Sequence, residues 1–241
     1  MTLSLNVIAK NFINIIYPLS CESCKARLDP MDTLGVCPSC ISKIKKNPLP
    51  HCRSCGRSVG NANSICPECG TKRFHFTRAY SACLHEGVMK ELIHEFKYRS
   101  RISLGNILSG IMIDSIKNYP GALDGVDAIT FVPIQDRRLR QRDFNQSRVL
   151  ASKLSKALSI PLIDALKKVR STRPQNELSR EDRLRNLEGA FAARNARDLN
   201  GLKLLLVDDV MATGTTLDQA SRTLLENGAK EIICFTLSRG V

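Results

Sequence analysis

The stretch Leu204-Leu205-Leu206-Val207-Asp208-Asp209-Val210-Met211-Ala212-Thr213-Gly214-Thr215-Thr216 decides how the rest of the chain is read. Its first four residues are aliphatic, as in a strand buried on both faces of a parallel sheet. Two adjacent carboxylates close that strand, and a small, hydroxyl-rich turn then opens a helical pattern over residues 216–227. Each part has a chemical task. Backbone N–H groups at a helix start, backed by the helix dipole, attract an anion. Gly214 lets the backbone come close to it, and Thr213, Thr215 and Thr216 add hydroxyl donors. Asp208 and Asp209 suit a pair of vicinal ribose hydroxyls, directly or through Mg2+. The expected ligand is a phosphorylated sugar. The segment lacks the Gly-Lys-Ser/Thr of a nucleotide phosphate loop, and no G-x-G-x-x-G opens a helix as in a dinucleotide fold. An ordinary helix cap accounts for one threonine. It does not account for two acids at the end of an apolar strand followed by Thr-Gly-Thr-Thr.

Outward from this segment, strands and helices alternate. Arg78–Leu84 reads as a strand and Gly87–Tyr98 as a helix with Met89, Leu92, Ile93 and Phe96 on one face. Residues 101–117 form a second helical pattern, and 127–133 a short apolar strand. A helix at 147–158 and a short strand at 160–163 follow. A polar, Arg-rich stretch runs from 167 to 186, then come the strand 202–207, the helix 216–227 stopped by Gly228, and a last strand at 231–237. Such alternation predicts an α/β fold, a parallel sheet flanked by helices, with ligands beyond the carboxyl ends of its strands.

The 241 residues allow one or two domains. Ten cysteines divide them. Eight form four C-x-x-C pairs: Cys21/Cys24, Cys37/Cys40, Cys52/Cys55 and Cys66/Cys69. Each turn sets two thiolates on one side of a tight knuckle, and two facing knuckles supply the four corners of a structural zinc site. Two Zn2+ ions are expected. Sequential pairing of the knuckles is the simplest arrangement, and interleaved pairing has the same spacing. The segment is short and polar, so the metal supplies its stability. Cys83 and Cys234 stand among apolar neighbours and read as buried thiols. His51, beside Cys52, could serve as a substitute ligand, but eight thiols already fill two sites; His85 and His94 fit no metal pattern and read as surface or packing residues. Before the first cysteine, Leu3, Leu5, Ile8, Phe12, Ile15 and Ile16 recur at helical spacing up to Pro18, an amphipathic helix that docks on the protein. The reading places domains at 1–73, the helix and double ribbon, and 74–241. No run is apolar enough to span a membrane, no secretory signal leads the chain, and ten thiols suit a reducing cytoplasm.

Lys and Arg number 36 against 23 Asp and Glu, a net charge of +13 that favours polyanionic partners. Within residues 134–187 there are 14 basic and 6 acidic residues, so +8 of the surplus lies there. Aromatics are only 5% and Trp is absent, which argues against a surface tiled with base-stacking rings.

The segment ending at Thr216 resembles the phosphoribosyl-diphosphate (PRPP) motif of type I phosphoribosyltransferases. The resemblance implies that Asp208 and Asp209 contact the ribose hydroxyls, and that Ala212, Thr213, Gly214, Thr215 and Thr216 hold the 5-phosphate. Diphosphate and Mg2+ belong near the loop that begins at Val132-Pro133 and runs towards Gln146. A lid belongs at residues 167–186, with Arg170, Arg173, Gln175 and Arg180 as candidates. Further blocks narrow the likeness to the ComF/GntX family. They are Val132-Pro133, then Arg137-Arg138-Leu139-Arg140-Gln141-Arg142-Asp143-Phe144-Asn145-Gln146, Glu91 to Tyr98, and the run from Arg170 through Arg180 to Phe191, all behind a double cysteine ribbon. Arg137, Arg138, Arg140, Arg142, Asn145 and Gln146 are the candidates for a diphosphate or a DNA backbone. One departure stands out, since Asp143 occupies a position where the family has Gly. ComF proteins are associated with natural transformation, on the cytoplasmic side of DNA uptake. The resemblance therefore implies single-stranded DNA and PRPP as partners, with a competence helicase or other DNA-processing proteins, and leaves open an active transferase with an unidentified acceptor.

Overall fold

The computed structural model describes residues 19–29, 31–32, 34–62, 64–99, 101–170 and 187–240. The helix expected before the first cysteine, and Arg173, Gln175 and Arg180, lie outside these described residues.

The ribbon contributes two one-turn helices, α1 (Pro38–Ser42) and α2 (Pro67–Gly70), each starting at a proline directly after a cysteine. Proline suits that first position because it has no N–H to leave unpaired. Then follow β1 (Arg78–Leu84), α3 (Gly87–Tyr98), α4 (Leu104–Ile116), β2 (Ala128–Phe131), α5 (Asp136–Arg142) and α6 (Gln146–Leu158). The chain continues with β3 (Leu166–Lys168), β4 (Phe191–Ala193), β5 (Lys203–Met211), α7 (Thr215–Glu226) and β6 (Glu231–Arg239).

Four strands form a parallel sheet in the order β1-β6-β5-β2. Beyond β2, Leu162 pairs in parallel with Ile129, the short strand expected at 160–163. In β5 and β6 every second side chain goes to the opposite face, as the two-residue period of a strand requires. Leu205, Val207, Ile233, Phe235 and Leu237 join α3, α4 and α6 in one core. Leu204, Leu206, Ile232 and Cys234 join α7 in the other. Each fully buried aliphatic contributes roughly 1.5–3 kcal/mol through its removal from water. Cys83 and Cys234 are both fully buried, as their neighbours implied.

The two ribbons straddle the free edge of β1. Cys21, Leu28, Val36 and Cys40 pack into the α3/α4/α6 core, whereas Cys52, Cys55, Cys66 and Phe76 pack into the α7 core. Between them the chain pairs with β1 itself. Asn47 N–H donates to Ala82 O at 3.0 Å, Leu84 N–H to Lys45 O at 2.9 Å, and Lys46 lies opposite Cys83 in antiparallel register. The exposed edge of the sheet is thus capped by the ribbon.

Three local features differ from the sequence expectation. The strand expected at 202–207 runs on through both acids to Met211, because β6 pairs alongside it as far as Met211↔Arg239. The segment expected as a loop after β2 contains helix α5. Asp136 in its first turn and Arg140 and Arg142 in its last turn complement the helix dipole. Its seven residues are too few to show a helical period. The polar stretch from 167 begins with β3, which pairs antiparallel with β4.

Candidate functional site

The carboxyl ends of β5 and β2 open into a cleft of 660 Å³, with His85, the residue after β1, on its wall. Its floor is the end of β5 with Asp208 and Asp209, and one wall is the turn 212–216 at the start of α7. The opposite wall is formed by residues 132–135, Arg138, Gln141 and Arg142. Lys97, Tyr98, Gln146, Ser147, Lys168 and Leu217 complete the lining.

The turn is shaped by Gly214. Its φ of +78° lies in the left-handed region, and a Cβ there would meet Met211 Cε at 2.7 Å and the Phe74 ring at 3.1 Å. Both facts demand glycine. Thr213 and Thr215 hydroxyls lie 2.9 Å apart, with Thr215 buried and Thr213 and Thr216 half-buried. Asp218, in the first turn of α7, would repel an anion. Its Oδ1 instead accepts from His75 N–H at 2.7 Å and faces His75 Nδ1 at 2.9 Å.

The acidic pair is buried and differentiated. Asp208 Oδ1 accepts from Ser147 Oγ at 2.7 Å and from the Asp209 N–H at 2.9 Å. Burial, and then the adjacent Asp209 charge, push the Asp208 carboxyl up to about 7, against the pull of Ser147, Lys97 and the Asp209 N–H. Asp209 Oδ2 pairs with Lys97 Nζ at 2.8 Å. Lys168 is pushed down to about 8, by burial first and then by Arg138, with Asp208 opposing. Burial and nearby Lys97 likewise hold His85 below the usual imidazole range, and its Nδ1 lies 3.0 Å from Ser238 Oγ. Among the described residues Asp208 and Asp209 are the only carboxylates lining the cleft, against Lys97, Arg138, Arg142 and Lys168.

The arginine-rich block is sorted by the helical period of α5. Arg138, Gln141 and Arg142, spaced three and four apart, face the cleft, while Arg137 and Arg140 point to solvent. The Arg142 guanidinium sits 4.7 Å over the Tyr98 ring. Asn145 caps α6, accepting from Arg148 N–H at 3.3 Å and donating to Val132 O at 3.1 Å. Gln146 reaches the cleft and donates to Phe96 O at 3.3 Å. Asp143 adopts φ +62°, the left-handed conformation that glycine takes without cost and that Asp tolerates better than most residues. Its side chain is exposed and outside the cleft lining, so the substitution adds no charge there. Arg170, the one lid candidate within the described residues, donates to Glu188 O at 2.6 Å.

Lys97, Ser147, Lys168 and His85 were not singled out from sequence as site residues. Lys97 lies in the block Glu91 to Tyr98, which marked the family without a role. His85, read from sequence as a surface or packing residue, reaches the cleft because it directly follows β1.

The cysteines cluster in sequential order, Cys21/Cys24/Cys37/Cys40 and Cys52/Cys55/Cys66/Cys69, with each set of sulfurs within 4.8 Å of one another. Cys24 and Cys37 Sγ are 3.7 Å apart and Cys55 and Cys66 Sγ 3.6 Å, close to the edge of a tetrahedron with Zn–S bonds of about 2.3 Å. Cys37 N–H and Cys66 N–H each point at the first sulfur of their cluster, Cys21 and Cys52, at 3.4 and 3.3 Å. Both clusters fit Zn2+. The second is tied to the sheet. Arg239, buried at the end of β6, donates to Cys55 O at 2.6 Å and to Cys55 Sγ at 3.3 Å.

A parallel sheet whose central strand delivers two acids and a threonine turn to one cleft, with two four-cysteine clusters at its edge, is a phosphoribosyltransferase-type domain carrying a double zinc ribbon. The "Phosphoribosyl transferase domain" model matches residues 145–240 and the "Double zinc ribbon domain" model residues 12–70. Competence protein ComFC of Bacillus subtilis is 30% identical over 212 residues, covering 85% of this chain and 84% of its own length. Competence protein F of Haemophilus influenzae is 29% identical over 233 residues, 95% of this chain and 99% of its own. DNA utilization protein YhgH of Escherichia coli K12 is 29% identical over 222 residues, 85% and 97% respectively. The chain belongs to the ComF/GntX family of competence and DNA utilization proteins. Among the described residues no helix is long and apolar enough to cross a membrane.

Proposed function

We propose that the cleft binds PRPP, and that the protein uses this domain while handling incoming single-stranded DNA in the cytoplasm during natural transformation. The observation that carries the first part is the convergence of Asp208, Asp209 and the turn 212–216 on one cleft. The two carboxylates would accept from the ribose hydroxyls, the N–H groups and hydroxyls of 212–216 would surround the 5-phosphate, and Arg138, Arg142 and Lys168 would face the diphosphate. Mg2+ takes oxygen ligands, and in this cleft PRPP itself and Asp208 or Asp209 would supply them. Its charge offsets that of the diphosphate. The DNA part is supported by what the relatives' names say and by the solvent-facing Arg137 and Arg140 beside the cleft.

A transferase is the second reading, favoured by the intact acidic pair beside four basic side chains. The C1–O bond of PRPP would break, diphosphate leaving with the bonding electrons, while the acceptor's lone pair forms the new bond and the acceptor loses a proton. The chain's part is to position the sugar and stabilise the leaving charge.

Calorimetry with Mg-PRPP tests the site. Asp208→Ala and Asp209→Ala should each weaken binding and leave the zinc content unchanged. Affinity equal to wild type in both variants overturns the assignment. Neutralising Arg137, Arg138, Arg140 and Arg142 together should weaken single-stranded DNA binding and flatten its salt dependence by about 0.7 per lost phosphate contact. An unaltered salt slope removes these residues from the DNA reading.

A further inference from the structure

Tyr98 is the last residue of α3 and stands at the lip of the cleft. It is 60% exposed, the only aromatic among the exposed large hydrophobic residues described. The preceding residues of the same helix, Leu92, Ile93 and Phe96, are buried in the core. Tyr98 instead belongs to a row of flat groups. The exposed His94 ring lies 4.9 Å from it, one helical turn back, and the Arg142 guanidinium lies 4.7 Å over it from α5. Arg142 Nη1 also donates to Gln146 Oε1 at 3.4 Å.

We infer that Tyr98 is a stacking platform for a nucleobase of single-stranded DNA, with Arg142 completing the stack and the arginines of α5 holding the adjoining phosphates. Proteins that hold single strands without reading sequence combine a cationic track with an aromatic ring, since every base has a π-face. Both are present here at one place. Arg138 and Arg142 line the cleft, and Arg137 and Arg140 lie on the outer side of the same short helix. A scarcity of aromatic residues allows one such ring rather than a tiled surface. The inference deepens the DNA part of the function proposed above and rests on it. A free nucleobase entering the cleft as an acceptor has the same stacking chemistry, so the test separates the two sources.

The full-length protein is titrated against a labelled thymidine oligonucleotide, and against the same backbone with abasic positions. Tyr98→Ala should weaken binding of the thymidine strand roughly 5- to 150-fold, the loss of one base–aromatic stack, and leave the abasic strand unaffected. Tyr98→Phe should bind like wild type, and thermal melting and zinc content should stay at wild-type values in both. Equal affinities of Tyr98→Ala and wild type for the thymidine strand overturn the platform while leaving DNA binding itself intact. Failure of the wild type to bind either strand removes the DNA reading together with this inference. Free thymidine binding that needs Tyr98, with strand binding that does not, assigns the ring to an acceptor and overturns the strand as its ligand.

Discussion

Lys97 Nζ, on helix α3, lies 2.8 Å from Asp209 Oδ2 on strand β5, so the acid proposed to meet a sugar hydroxyl is already paired with a lysine. Both side chains are largely buried, so solvent screens the pair little. Replacing Lys97 by Met leaves two adjacent carboxylates without their nearest cation. The expected loss is roughly 1–3 kcal/mol of stability at pH about 8, smaller near pH 5 where Asp208 holds a proton. Denaturant unfolding at the two pH values measures it, and equal stability of parent and variant at both refutes it.

Asp208 gives a pH dependence of known sign. Its folded-state value, about 7, lies above the ordinary value near 4 of an unfolded chain. Between those values the folded state keeps a proton that the unfolded state has lost. Stability therefore falls as pH rises through that window, and the cost of ionising the buried carboxyl is fully present above it. Asp208→Asn carries no such ionisation. Its melting temperature should gain on wild type steadily from pH about 5 to about 8. A gap that stays constant across this range would falsify the raised carboxyl.

Arg239 extends this logic to the metal. Its guanidinium is buried and spent on the carbonyl and sulfur of Cys55. Two zinc ions per chain are expected, and Arg239→Met should release the one at Cys52/Cys55/Cys66/Cys69 to a chelator faster than wild type does. The other ion should leave at its usual rate. The same variant should lose roughly 1.5–3 kcal/mol, because the buried Cys55 carbonyl has lost a charged hydrogen-bond donor. Identical release of both ions would show that the sheet and the second cluster are uncoupled.

Much of this was legible in sequence because it is written locally. The C-x-x-C spacing states the knuckles, and the aliphatic run before Asp208 states a buried strand and the site that follows it. What local pattern cannot carry is which distant segments meet. Sequential pairing of the cysteines, the simplest arrangement in sequence, separates from interleaved pairing only with the sulfurs in place. Lys97 and Lys168 come from α3 and β3, and nothing near either residue says that it faces β5. Arg138 and Arg142 separate from Arg137 and Arg140 only once α5 is known to be a helix. Asp143 is the reverse case. Its departure from glycine raised a question about charge, and the left-handed turn answers it through backbone conformation.

The edge pairing of residues 45–47 with β1 also has a meaning in time. In the finished sheet β1 hydrogen-bonds to β6, the last strand of the chain. At roughly 5–20 residues per second of synthesis, β1 emerges roughly 7–30 s before β6 exists. Throughout that interval its sheet partner is missing, and among the described residues the ribbon alone offers it backbone partners, at Lys45, Asn47 and Ser54. A metal-closed ribbon can be complete by then, so the nascent strand waits with one edge already occupied.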